Sequence, residues 1–395
     1  MKRKILMMLV GVSCATMGSV EAQESRQGFY AVPGIGVSSI HDDNIFFSID
    51  EEQSDTALRV SPELEVGYES QRTSMQARYS FDSEKYEKFT TLDSDSVRTF
   101  ADFQGTHQLT RRFALEGEVH YTETNTPADI TLGTGSAVPG LFVGRAQAER
   151  LAIQPAVTFQ MTPTWGTRLG YSHTNDKLAD ALESETQIVE SEFGWQRSAK
   201  TLIEYGYTYR QYDFKSLTAD ESGVPLTVGT QETHMPWVGV QYDLSERIQL
   251  RGQVGPRIND DEVDPYVRLS LRRSHIGGDL MLSYERNETT LLGEAGRIEA
   301  ETYSAAFTHT VGSRFELRVT PAFGKLSQTD YAVDIYRAEL MARYRITPYL
   351  HLTASYDMYY QEVDFVSGLT EDVARNVVML GFYLTYPRRE DRTTR

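Results

Sequence analysis

Apolar and polar residues alternate one for one along most of the chain. Between Ala57 and Glu69, Leu58, Val60, Pro62, Leu64, Val66 and Tyr68 share one face, and Arg59, Ser61, Glu63, Glu65 and Gly67 share the other. Phe113, Leu115, Val119 and Tyr121 stand opposite Glu116, Glu118 and His120. The same phase returns in Phe315, Leu317, Val319 and Phe323 against Glu316, Arg318 and Thr320. It returns again in Leu350, Leu352, Ala354, Tyr356, Met358 and Tyr360 against His351, Thr353, Ser355, Asp357 and Gln361. A period of two marks strands with one apolar face. These runs reach nine residues or more, beyond the five or six usual in soluble sheets. About eighteen such strands are predicted between residues 29 and 386.

The connections carry a second pattern. Tight turns at 70–72, 162–164, 312–314 and 346–348 alternate with longer stretches at 41–56, 125–143, 214–229, 288–298 and 362–374. Short turns at one end and long loops at the other characterise transmembrane barrels. The predicted fold is therefore all-β: an antiparallel outer-membrane β-barrel of about 18 strands with short periplasmic turns and long extracellular loops. A propeller would show a shared repeat of about 40–45 residues, and none is present. A soluble sandwich gives no reason for connections to alternate in length.

Composition sharpens this reading. No run of 18 apolar residues occurs, which excludes a spanning helix. The 23 Tyr and 17 Phe argue against disorder. A net charge of −17 gives no general nucleic-acid footprint, so no nucleic acid is expected as a partner. Lys2, Arg3 and Lys4 precede the apolar run Ile5 to Val12, and Val20-Glu21-Ala22 supplies small residues at cleavage positions. That is the layout of a secretory signal, predicted over 1–22. The barrel is predicted over 23–386, and a polar periplasmic tail over 387–395. The one cysteine, Cys14, lies within the signal, so no disulfide is expected in the barrel.

At the far end, Gly381, Phe382, Leu384 and Tyr386 place glycine, apolar and aromatic residues at fixed offsets. The pattern resembles the C-terminal signal read by the outer-membrane assembly machinery, which the resemblance makes a partner. It departs in having Met379 at a position usually polar and in carrying a tail beyond Tyr386. Near the start, Asp42-Asp43-Asn44, the pair Phe46-Phe47 and the proline-bearing strand around Pro62 resemble the β-barrel porin 2 family. That resemblance implies association with exopolysaccharide or capsule export, with secreted polysaccharide and export components as partners. Outer-membrane lipids and lipopolysaccharide follow from the barrel itself.

No enzyme motif is present: there is no HExxH, GxSxG or Walker A sequence. His41-Asp42 and Ser274-His275 fall in a loop and a periplasmic turn, where they would not converge. No catalytic residue, cofactor or metal site is predicted. The acid clusters Asp42-Asp43, Asp50-Glu51-Glu52, Asp260-Asp261-Glu262 and Glu371-Asp372 lack calcium-loop spacing and read as solvated outer surface. The charges on the inward phase are more informative. With the apolar face to lipid, the lumen would receive Arg168, Arg210, Arg251, Arg268, Arg318, Arg337 and Arg343, together with Glu116, Glu118, Glu190, Glu192, Glu204 and Glu339. Acids concentrate early in the chain and arginines late, so closure would set a positive wall across from a negative one. Inward Trp237 and Tyr359 could stack sugars. Three functions fit: a polysaccharide conduit or accessory barrel, a diffusion porin for small polar solutes, and a non-transporting surface barrel.

Overall fold

The computed structural model describes residues 28–127, 130, 144–179, 182–219, 225–259, 262–290, 296–328, 331–365 and 369–385. The predicted signal, the tail and Tyr386 lie outside them. Six strands open the barrel: β1 (Gly28–Asp42), β2 (Asp55–Glu69), β3 (Thr73–Tyr86), β4 (Ser94–Thr110), β5 (Phe113–Thr124) and β6 (Ala148–Thr162). Six follow: β7 (Trp165–Leu178), β8 (Leu182–Ser198), β9 (Thr201–Ala219), β10 (Pro225–Ser245), β11 (Ile248–Asn259) and β12 (Glu262–His275). The last six are β13 (Gly278–Thr290), β14 (Arg297–Val311), β15 (Phe315–Ser327), β16 (Tyr331–Arg345), β17 (Leu350–Phe365) and β18 (Thr370–Thr385).

Each strand pairs antiparallel with its neighbours in sequence, and β1 also pairs with β18, from Gly34 opposite Thr385 to Asp42 opposite Val377. The sheet is thus one closed 18-stranded barrel. Closure satisfies every strand edge, which is what permits strands to cross a bilayer.

The predicted phase holds. Leu64, Leu169, Val240, Leu269, Leu340 and Leu380 are all exposed on the outer face. An apolar band of this extent is incompatible with water and faces lipid. Aromatic rings form tracks along it. Tyr284, Tyr303, Phe323, Tyr336 and Tyr360 make successive contacts at 4.8–5.9 Å across β13 to β17. Trp165 and Trp195 stack 5.6 Å apart near the short turns. The protein is an integral barrel of the bacterial outer membrane.

One expectation changes. Much of 214–229, 288–298 and 362–374 is strand, with β9 paired to β10 as far as Ala219 opposite Pro225. Beyond the lipid, outward residues need not be apolar, so alternation fades while backbone pairing continues.

Candidate functional site in the lumen

The interior differs between its two ends. Towards the long connections, inward residues are buried on strand after strand: Asp42, Asp55, Glu84, Thr124, Asp176, Phe214, Arg257, Ile298, Val333 and Val373. Towards the short turns burial is mixed: Arg78 and Arg272 keep 46% and 44% of their side chains exposed, whereas Val32, Glu65 and Leu202 are buried. Among the described residues the lumen therefore fills most continuously towards the outside.

Contacts across the interior cause part of this filling. Arg210 Nη1 on β9 donates to Asn287 Oδ1 on β13 at 2.8 Å. Tyr212 Oη donates to Glu288 Oε1 at 3.2 Å. Glu288 also lies 3.6 Å from Arg257 Nε and 4.0 Å from Arg297 Nη1. Arg297 in turn reaches Thr233 Oγ1 on β10 at 3.2 Å. Four strand spacings separate β9 from β13, roughly 19 Å along the wall at about 4.8 Å each. Two side chains span that only if the wall bends sharply inward. Glu288 is the hub of the bend.

Below this hub lies a cavity of about 410 Å³. Five carboxylates line it (Asp176, Glu190, Glu192, Glu285 and Glu288) against three guanidiniums, Arg150, Arg210 and Arg268. Arg150 makes a two-armed bond to Asp176 at 2.6 and 2.7 Å. Arg268 donates twice to Glu285 Oε2, at 3.1 and 2.8 Å. Next to the cavity, Arg168 divides itself between Glu116 and Glu190 at 3.6 Å each. Gln154 Nε2 and Glu192 Oε2 are buried with no hydrogen-bond partner among the described residues. Met235, Trp237 and Tyr266 form a buried apolar cluster on another part of the wall. The Trp237 ring lies flat over Gly206, where any Cβ would collide with it, so glycine is required there.

The inward residues read from sequence distribute themselves as follows. Arg210, Arg268, Glu190 and Glu192 line the cavity, with Arg168 and Glu116 at its edge. Arg251 holds Glu204 at 3.0 Å through both arms. Glu118 lies 3.5 Å from His120. Arg318, Arg337, Arg343 and Glu339 sit apart from the cavity on β15 and β16. Arg337 stacks on Tyr359 at 5.2 Å, Arg318 lies 3.9 Å from Glu316, and Glu339 accepts from Thr320 at 3.1 Å. Arg343 is opposite Glu316 in register. Sequence reasoning missed Tyr212, Tyr266, Met235, Gln154 and Glu285. The two tyrosines share the phase of Arg210 and Arg268 and were open to the same argument.

The acids read as solvated surface are partly engaged. Arg375 of β18 donates to Asp42 at 3.0 and 2.6 Å, and its guanidinium lies 4.5 Å from the Phe47 ring. Asp43 accepts from the Asn376 backbone and side-chain amides at 2.6 and 2.7 Å. Asn44 Nδ2 donates to Ala374 O at 2.9 Å. The first connection thus grips the last strand. Gly381 lies on the same seam, where a Cβ would stand 2.8 Å from Val37 O. Phe382 and Leu384 face outward. His41 bonds Thr56 at 3.1 Å, and Ser274 Oγ donates to Asp279 at 2.6 Å. Among the described residues no cluster of His, Cys, Asp and Glu could hold a metal.

Neither a protein-family model nor a curated protein matches the sequence. Among solved structures, the chain is similar to the siderophore receptor PirA from Pseudomonas aeruginosa. They share 9% identity and a TM-score of 0.44, over 92% of this chain and 81% of that one. It is similar also to the FrpB iron transporter from Neisseria meningitidis, at 9% identity and 0.46, over 92% and 82%. The ferric-catecholate import receptor Fiu from E. coli K12 gives 8% and 0.44, over 92% and 82%.

Proposed function

We propose that the chain is a gated passage for hydroxyl-rich solutes across the outer membrane, serving exopolysaccharide export as a channel or accessory component. The observation that carries this reading is the filled outer half of the interior: a cavity walled by ion pairs and aromatic rings, and beyond it inward side chains buried on strand after strand. A barrel of sixteen to eighteen strands otherwise leaves an aqueous channel. Contacts that fill the outer half therefore favour a gate over free diffusion. Rings of fixed charge are the means by which such passages select solutes. The resemblance of the first connection to the β-barrel porin 2 family supports a polysaccharide as cargo, as would glycosyltransferase genes beside this one.

Planar-bilayer conductance tests the reading. The native barrel should conduct weakly, and Glu288→Ala should raise conductance severalfold by releasing Tyr212, Arg257 and Arg297 together. Oligosaccharide added on the periplasmic side should block the opened variant. A native barrel as conductive as the variant would instead indicate a diffusion porin. Silence in both would indicate a surface barrel.

A further inference from the structure

We infer that the outer wall over β10 to β13 carries a binding site for one anionic phospholipid of the periplasmic leaflet, its acyl chain in a groove of the wall and its phosphate on Arg273. The inference concerns the lipid-facing surface and does not depend on what passes through the lumen. The groove has a volume of about 510 Å³. Two cross-strand rows of outward residues build it. In the first, Gly252 stands between Val240 and Leu269, and the row continues to Tyr284. In the second, Leu250 and Leu271 stand between Tyr242 and Leu282. Gly252 makes the hollow, because its row lacks one side chain. A Cβ placed there would meet only the tip of Leu269, at 3.3 Å.

The next row towards the short turns changes character. There Arg273 lies between Ile248 and Leu280, on the outward phase of Leu269 and Leu271. It is exposed, and its guanidinium has no ion pair, hydrogen bond or ring contact among the described residues. Arg247, beside Ile248 in the turn before β11, is exposed and equally without a side-chain partner among them. Of the acids nearby, Asp279 already takes Ser274 at 2.6 Å and Arg272 at 3.6 Å, and Asp243 takes Gln249 at 2.9 Å. Only Glu246, in the turn with Arg247, opposes the two cations. A lipid-facing arginine is costly at mid-bilayer and tolerated where the headgroups begin, so Arg273 fixes the depth of the site. Phe307 and His309, stacked on His275 at 5.7 and 5.2 Å, mark the same boundary with aromatic rings. The two groove rows lie two and four residues from Arg273, roughly 7 and 14 Å at about 3.4 Å per residue. That is where an acyl chain runs below its own phosphate. A guanidinium meets a phosphate through two parallel N–H donors. The hollow beside it takes the chain that a free phosphate lacks, and the depth excludes the lipopolysaccharide of the opposite leaflet.

Native mass spectrometry of the full-length barrel tests this, after removal of lipid and addition of palmitoyl-oleoyl phosphatidylglycerol and phosphatidylethanolamine in equal amounts. Single adducts of phosphatidylglycerol should exceed those of phosphatidylethanolamine about fivefold, the preference one arginine confers near an anionic surface. Arg273→Gln should bring the two to equality. Gly252→Leu fills the hollow and should reduce the adducts of both lipids. Val240→Trp takes its place if that variant lacks the gel mobility of a folded barrel. Arg112→Gln, in the distant turn between β4 and β5, should leave the preference intact. Equal adducts on the native barrel overturn the inference, as does a preference that survives Arg273→Gln. A preference that Arg112→Gln removes equally well also overturns it, because charge anywhere on the rim would then suffice. Lipid binding unchanged in a folded, groove-filled variant overturns it too. Barrel dimers that exclude lipid and vanish when the groove is filled would overturn it in favour of a second copy as the occupant.

Discussion

Leu340 lies on the outer face of β16, midway between the outward rings of Tyr336 and Tyr344, all three about 40% exposed. Aromatic girdles mark the two lipid–water boundaries of a barrel, which puts Leu340 near the bilayer midplane. An arginine there should cost about 2–4 kcal/mol. Leu340→Arg should therefore lower the unfolding midpoint in urea and reduce the folded fraction on an unheated gel. Thr320→Arg, one strand away on the inner face and beside Glu339, should be nearly neutral. Equal effects of the two would contradict the inward–outward register. At this scale the sequence was an accurate guide, because lipid contact forces every second residue to be apolar. It did not reveal pairings such as Arg210 with Asn287. Those residues are four strands apart, and their contact depends on wall curvature, which alternation does not encode.

Among the elements, the seam between β1 and β18 is distinctive because it joins the two ends of the barrel. Asp42, Asp43 and Asn44 each bond a residue of β18 between Ala374 and Asn376. Phe47, held at a left-handed φ of 56°, lies over Arg375. That backbone is unfavourable for a bulky residue and persists because its surroundings fix it. Removing one member of a well-buried ion pair costs about 3–5 kcal/mol, whereas removing both costs less. Asp42→Ala and Arg375→Ala should each lower the temperature at which the barrel unfolds on a gel, and the double variant should lower it by less than their sum. Full additivity would show that the two side chains do not cooperate. The Asp-Asp-Asn motif was legible as a motif, but its partner was not. Arg375 lies more than three hundred residues away, and only closure of the sheet brings them together.

For the whole molecule, strand number and closure were readable from periodicity and turn length. The reach of the strands was not. A bilayer needs about 9–11 residues of strand, yet β9 has 19 and β10 has 21. The polar upper portions lack the lipid-facing signature and read as loops. Which arginines meet a close carboxylate was not readable either, because that depends on the register between strands, as for Arg268 with Glu285.

The overshoot of β9 and β10 has a consequence for the cell surface. About eight residues beyond the lipid, at about 3.3 Å each, lift this hairpin roughly 20 Å or more along its tilted course. The wall then rises like a chimney through the sugar layer of lipopolysaccharide, and its rim meets the medium. The sole cysteine of the sequence, Cys14, falls in the predicted signal, which leaves a clean background for labelling. Lys215→Cys, high on β9, should react on intact cells with a maleimide that cannot cross membranes. Lys200→Cys, in the short turn preceding the same strand, should react only after the cells are broken open. The reverse pattern would turn the barrel upside down.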